Sequence, residues 1–138
     1  MAKRKNIWLI AIGVLIAAVA ACGTFKECYD IGDEFFDCLK KKDYDRALQY
    51  LDDEATNATP REIWLDGLKE KGNSLGILLS VQRQDIESYT VDNVTRLAIK
   101  YKTFYTNGTI FERLEFIERQ GGFKITFYQY NEDSTMVQ

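Results

Sequence analysis

The hydrophobic pattern of this chain changes its period once, near Leu75, and that change limits the fold more than any other feature. Upstream, apolar residues recur at steps of three and four; downstream they alternate, with many β-branched and aromatic residues. Such a chain builds helices first and a meandering sheet second. In the upstream part Phe25, Cys28, Ile31, Phe35, Cys38 and Leu39 form one helical stripe. Thr24-Phe25-Lys26-Glu27 has capping-box spacing at its start, and Lys40, Lys41 and Lys42 place cations at its C-terminal end. Asp43 is positioned to cap a second, short helix carrying Tyr44, Ala47, Leu48 and Leu51. Thr59-Pro60-Arg61-Glu62 reads as N-cap, proline at the first helical position and reciprocal acid, opening a third helix that presents Ile63, Trp64, Gly67 and Leu68 and ends near Gly72. Gly67 is expected to let this helix approach the sheet closely.

Downstream, strands are expected near 76–85, 94–106, 109–119 and 123–131, with 86–91 either a separate strand or a continuation of the first. Asn107-Gly108 is the sequence's strongest hairpin signal, because a type I′ turn needs positive φ at both central residues. Gly121-Gly122 marks the next reversal. With Asn107-Gly108 as the loop, Tyr105 faces Ile110, Tyr101 faces Leu114 and Ile99 faces Phe116, which makes a floor for the helices. On the opposite face Phe104 lies across from Phe111, Lys100 from Glu115 and Ala98 from Ile117, with Lys102 opposite Arg113 as a like-charge pair. The expected class is α+β: N-terminal helices packed on one face of a curved antiparallel sheet of about four strands.

Ahead of this domain, Lys3-Arg4-Lys5 precede the uncharged run from Ile7 to Ala21, which closes on Val19-Ala20-Ala21-Cys22. A basic start and an apolar run shorter than the about 20 residues of a bilayer span have the layout of an export signal. Small residues just before a cysteine resemble a bacterial lipobox, with the Cys22 thiol as the group that carries lipid. Residues 1–21 are thus expected to be a lipoprotein signal peptide. Residues 22–30 would be the lipidated cysteine, a short tether and the start of the first helix; 31–131 the α+β domain; 132–138 a flexible tail. The partner implied is a membrane, reached through lipid on Cys22. So short a tether holds the domain on the order of 10 Å from the bilayer. The expected location is the cell envelope. Gly23, where an inner-membrane retention signal would often place Asp, favours the outer membrane in a diderm host.

Composition narrows the chemistry. The chain has no histidine, so Ser-His-Asp and Cys-His sites and histidine general bases are excluded. Lys3, Arg4 and Lys5 take three of the 18 basic residues into the signal and none of the 21 acids, so residues 22–138 carry a net charge of −6. That balance argues against nucleic acid as a partner. Ten residues of continuous helix would hold Cys28 and Cys38 about 15 Å apart, beyond disulfide reach, so both are expected as buried thiols, a bridge needing a break in the chain at Gly32. Asp30, Asp33, Glu34 and Asp37, like Asp52, Asp53 and Glu54, read as solvated acidic faces rather than metal ligands, and no cofactor is expected.

Several short stretches together carry a family resemblance. They are Lys42-Asp43-Tyr44-Asp45-Arg46-Ala47, Trp64 with Gly67, Ser74-Leu75-Gly76, Tyr101-Lys102-Thr103 with Tyr105, the strand bearing Glu112, and Gly122-Phe123-Lys124-Ile125 running to Tyr128. From about Phe35 to Tyr130 the chain resembles small bacterial lipoprotein domains of unknown function in the nuclear transport factor 2-like (cystatin-like) superfamily. Phe123 stands where a tryptophan is commoner. The resemblance implies a sheet curved around a helical cone, with a pocket at the open end and an outer face that dimerises. Phe35, Trp64, Leu68 and Tyr101 are the pocket candidates, and Trp64 has the simpler alternative of filling the helix–sheet seam. Ala98, Phe104, Phe111 and Ile117 are the candidates for an interface, a homodimer being its simplest form. Some relatives do acid–base chemistry, for which Tyr101, Tyr105, Glu112 and Tyr128 could face inward, Glu112 being the only acid and lying near a hairpin end close to solvent. The leading expectation is a non-catalytic binding or assembly module that meets another envelope protein. A carrier or enzyme for a small apolar ligand, and a surface protective lipoprotein, are the alternatives.

Overall fold

The computed structural model describes residues 23–133. Cys22, the expected signal peptide over 1–21 and most of the expected C-terminal tail lie outside them. Helix α1 is helical over 23–40. It ends where Lys42 takes a positive φ of 57° and the Asp43 N–H reaches back to the Cys38 carbonyl at 2.9 Å, a Schellman-type stop. At the other end Thr24 is already helical. The Glu27 carboxylate accepts the Phe123 N–H at 3.1 Å, pinning the start of α1 to the reversal at Gly121-Gly122. Helix α2 (Tyr44–Ala47) is capped by Asp43 as the sequence indicates and runs into a 3₁₀ turn, Leu48–Tyr50.

The next helix, α3 (Asp53–Ala58), is not anticipated by the apolar pattern because it is a single short, polar segment. Asp52, read from sequence as part of a solvated face, is 7 % exposed and caps α3 through the Glu54 N–H. It also receives a forked pair of bonds from Arg119 at 3.1 and 2.8 Å, and that guanidinium holds its carboxyl below the ordinary range. Helix α4 (Arg61–Leu75) starts one residue later than the Thr59 signal suggests. Thr59 spends its N–H on the Ala55 carbonyl to close α3, so Pro60 becomes the N-cap and its carbonyl accepts from Ile63 and Trp64. The helix runs past Gly72 to stop at Gly76, whose φ is 82°.

Strands β1 (Leu78–Val91), β2 (Val94–Tyr105), β3 (Gly108–Arg119) and β4 (Gly122–Asn131) form one antiparallel sheet in that order. The stretch 86–91 continues β1, which carries irregularities between Leu78 and Ser80 and between Arg83 and Asp85. The type I′ turn exists, but at Asp92-Asn93, with φ of 51° and 62°. The β2–β3 loop is instead Thr106-Asn107, with Tyr105 opposite Gly108. Tertiary bonds select it: the Thr106 N–H donates to the Ile77 carbonyl and the Asn107 N–H to the Leu75 carbonyl, both at 2.9 Å. Every expected β2–β3 pair therefore shifts by two positions, so Thr103 faces Ile110, Ile99 faces Leu114 and the like-charge pair becomes Lys100 with Arg113. A shift of two preserves the faces, and the expected floor residues remain on the helix side.

The helices cover that side. Phe35, Phe36, Ala47, Leu48, Ala55 and Leu68 meet Leu97, Ile99, Tyr101, Leu114, Phe116 and Ile125 in one core. Cys28 and Cys38 are buried and free, and burial pushes the Cys28 thiol up to about 12, so neither is a ready nucleophile. Tyr101 is wholly buried, its ring against Phe36 and its hydroxyl against Gly32. Among the described residues that hydroxyl alone is a buried side-chain polar atom without a hydrogen-bond partner. Tyr101→Phe is accordingly expected to stabilise the domain by about 1 kcal/mol, read as a higher denaturant midpoint at unchanged slope.

Candidate functional site

Helix α4 carries Trp64, Leu68, Lys71 and Leu75 at helical spacing, so its sheet-facing stripe contains one cation. The inward positions of β3 run Ile110, Glu112, Leu114, Phe116, so that stripe contains one acid. The fold brings the two together. Lys71 Nζ lies 2.9 Å from Glu112 Oε2, with both side chains at most 2 % exposed. Around them the other inward residues supply hydroxyls: Thr103 donates to Glu112 Oε1 at 2.7 Å, Tyr105 to the same oxygen at 2.9 Å, and Tyr128 to Oε2. Tyr128 Oη also accepts from Lys71 Nζ. Three tyrosine rings surround that ammonium, with centroids at 5.4 Å for Tyr105, 5.1 Å for Tyr128 and 5.2 Å for Tyr130.

These contacts decide the charge states. Burial pushes the Lys71 ammonium below its ordinary value, with the Glu112 carboxylate opposing. Burial alone would raise Glu112, but the Lys71 charge and the hydrogen bonds from Tyr128, Lys71 and Thr103 outweigh it and hold the carboxyl low. Tyr128 and Tyr105 are pushed up, first by burial and then by the carboxylate beside them. Glu112 is not near solvent, as its place in the sequence suggested. It is fully buried and accepts from four donors.

Above the pair, the seam between α4 and the end of β4 opens into two adjoining depressions. One, of about 460 Å³, is lined by Glu70, Lys71, Ser74, Tyr130, Asn131 and Glu132 among others. The second, about 210 Å³, is apolar, with Ile63, Trp64, Gly67, Leu68, Tyr128 and Tyr130 on its walls. Tyr130 belongs to both, so they adjoin at its side chain, and together they are called the α4–β4 groove. Ile63 and Tyr130 are 61 % and 43 % exposed, and the Trp64 Nε1–H donates to the Ala55 carbonyl at 3.4 Å.

Of the four pocket residues expected from sequence, Trp64 and Leu68 line this groove. Phe35 and Tyr101 do not: they pack in the core, Phe35 against Phe36 and Tyr128. Gly67 makes no close approach, since a Cβ there would meet nothing within 4 Å; Gly72 does, against the Tyr44 hydroxyl. The outer sheet face also differs from expectation. Ala98 and Ile117 are 1 % exposed, so half of the proposed interface is not at the surface. Phe104 and Phe111 are half-buried beneath Lys102, whose Nζ lies 5.5 and 5.8 Å from their ring centroids. Beside them Glu87 pairs with both Lys100 and Arg113 and relieves the like-charge contact. Lys71 escapes a reading of motifs, although a lysine on the apolar stripe of α4 was the available signal. No family model matches this chain, and no curated protein matches it.

Proposed function

We propose that this protein is a lipid-anchored envelope protein that acts as a non-catalytic binding module, and that the α4–β4 groove is its binding surface. The observation that carries the reading is an exposed apolar and aromatic groove on a rigid, charge-matched floor. The outer sheet face is less suited to a partner at Phe104 and Phe111, where Lys102 lies over both rings and Glu87 pairs with the neighbouring Lys100 and Arg113. Acid–base chemistry is disfavoured by the saturation of Glu112: a carboxylate that accepts four hydrogen bonds has no lone pair free to receive a substrate proton. Helices followed by a four-stranded meander agree with membership of the nuclear transport factor 2-like superfamily, which we also propose.

The anchor and the groove would occupy opposite ends of the domain. The start of α1 is pinned at Phe123 by Glu27, whereas the groove lies at Tyr128, Tyr130 and Glu132, so about 20–30 Å of strand separates them. A domain held at Cys22 therefore offers its groove away from the bilayer. Site-specific photo-crosslinking in the native envelope tests the reading, with the photoreactive residue at Ile63 or at Phe104. A discrete adduct from position 63 and none from 104 is expected. Adducts from 104 alone would return the function to the sheet face, and silence at both would remove the groove as an occupied surface.

A further inference from the structure

The two halves of the groove have different chemistry, and the difference specifies a class of ligand. At the polar end the Lys71 charge is matched from behind by Glu112, which leaves Glu70 and Glu132 to set the sign of the opening. Neither carboxylate belongs to an ion pair among the described residues. Tyr130, at the boundary, already has the Lys71 ammonium on its ring and is 43 % exposed. At the other end Ile63 and Trp64 offer apolar walls. Along α4, Trp64 and Glu70 are separated by six residues, about 9 Å. Residues two apart on an extended chain lie about 7 Å from each other on the same side, a spacing that long side chains stretch to reach both ends. The strand beside the groove is the edge of the sheet, and Leu51 and Asp52 pair with it at Ile125.

We infer that the groove receives an extended polypeptide segment of a partner protein, seating an apolar side chain against Ile63 and Trp64 and a lysine or arginine between Glu70 and Glu132. This inference rests on the groove being the binding surface and adds the charge and form of what enters it. Opposite charge across the polar end favours the cationic segment and discriminates against an acidic one.

The test uses the full chain in detergent micelles with Trp8→Phe, so that Trp64 is the single tryptophan. The probes are acetylated pentapeptides in a serine background: phenylalanine two residues before lysine, the same peptide with glutamate for lysine, and the same with serine for phenylalanine. The lysine–phenylalanine peptide is expected to shift Trp64 emission and to bind about tenfold tighter than either control, more weakly as salt rises. Glu70→Gln with Glu132→Gln should erase the preference for lysine over glutamate while the melting transition stays in place; Asp33→Asn with Asp37→Asn, which lie elsewhere, should not. Equal binding of the lysine and glutamate peptides would overturn the cationic assignment yet leave the groove as a binding surface. An absence of any response would overturn the peptide, and the crosslinking at Ile63 would then report on the groove independently. An emission change that follows protein concentration alone would assign the groove to a second copy of this chain and overturn the proposal.

Discussion

Glu112→Ala is expected to destabilise the domain by about 3–5 kcal/mol, enough to unfold much of it near body temperature. The size follows from what remains. Lys71 would stay 4 % exposed with its counter-charge gone, and the hydroxyls of Thr103, Tyr105 and Tyr128 would each lose an acceptor. The pair as a whole is a different matter, because a buried ion pair roughly repays its own desolvation. Lys71→Met combined with Glu112→Leu should therefore recover most of the loss, and denaturant unfolding of Lys71→Met, Glu112→Leu and the double closes the cycle. A double variant no more stable than Glu112→Ala alone would mean that the network is irreplaceable rather than merely matched.

The same pair gives the domain an acid limit. Glu112 has a folded-state pKa below its ordinary 4.5, so its contribution is complete above about that pH and is lost as pH falls through the lower folded value. Asp52, held low by Arg119, adds a second loss that sets in below its ordinary 3.8. Lys71 acts at the other end of the scale. Its depressed value is a penalty on the folded state at neutral pH that is relieved as pH rises toward 10.5. Thermal melts of Glu112→Gln should show a shallower decline below pH 5 than the parent, with the Asp52 portion retained. An unchanged decline would remove Glu112 from the acid limit.

Cys22→Ser is expected to have the largest effect on placement. It should abolish incorporation of an alkynyl fatty acid and leave residues 1–21 attached, since lipidation and cleavage both act at that residue in the proposed reading. Intact mass and in-gel labelling of the protein from its own host measure both. Stable attachment generally takes two acyl chains, and residues 22–138 are net acidic, so no basic patch would substitute for the lipid. Parent protein that carries no label, or that retains its first 21 residues, would overturn the anchor and the orientation of the groove with it.

How far the site was legible can be traced residue by residue. Glu112 stood at an inward position between Ile110 and Leu114, so its direction could be read from alternation; its burial could not, because that depends on what α4 lays over it. Trp64 and Leu68 were placed on the correct element, and Phe35 and Tyr101 were assigned to a pocket that the core fills. Lys71 was visible as a cation on an apolar stripe, yet only its partner 41 residues away explains it.

What the sequence determined by itself was everything set by local repetition. The 3.6 and 2.0 periods divide helices from strands, and alternation assigns the residues of β2 and β3 to faces that a register shift of two leaves unchanged. Asp43 as a cap is equally local, since the groups that it joins lie three residues apart. The tertiary structure decided where equivalent local options compete. Thr106-Asn107 displaced Asn107-Gly108 as the loop because Leu75 and Ile77 offer carbonyls to it, and Asp92-Asn93 took the left-handed turn instead. Likewise Lys71 and Glu112 acquire a meaning only as a pair. The free energy of a buried charge depends on its neighbours in space, and neighbours in space are the one thing a linear pattern does not contain.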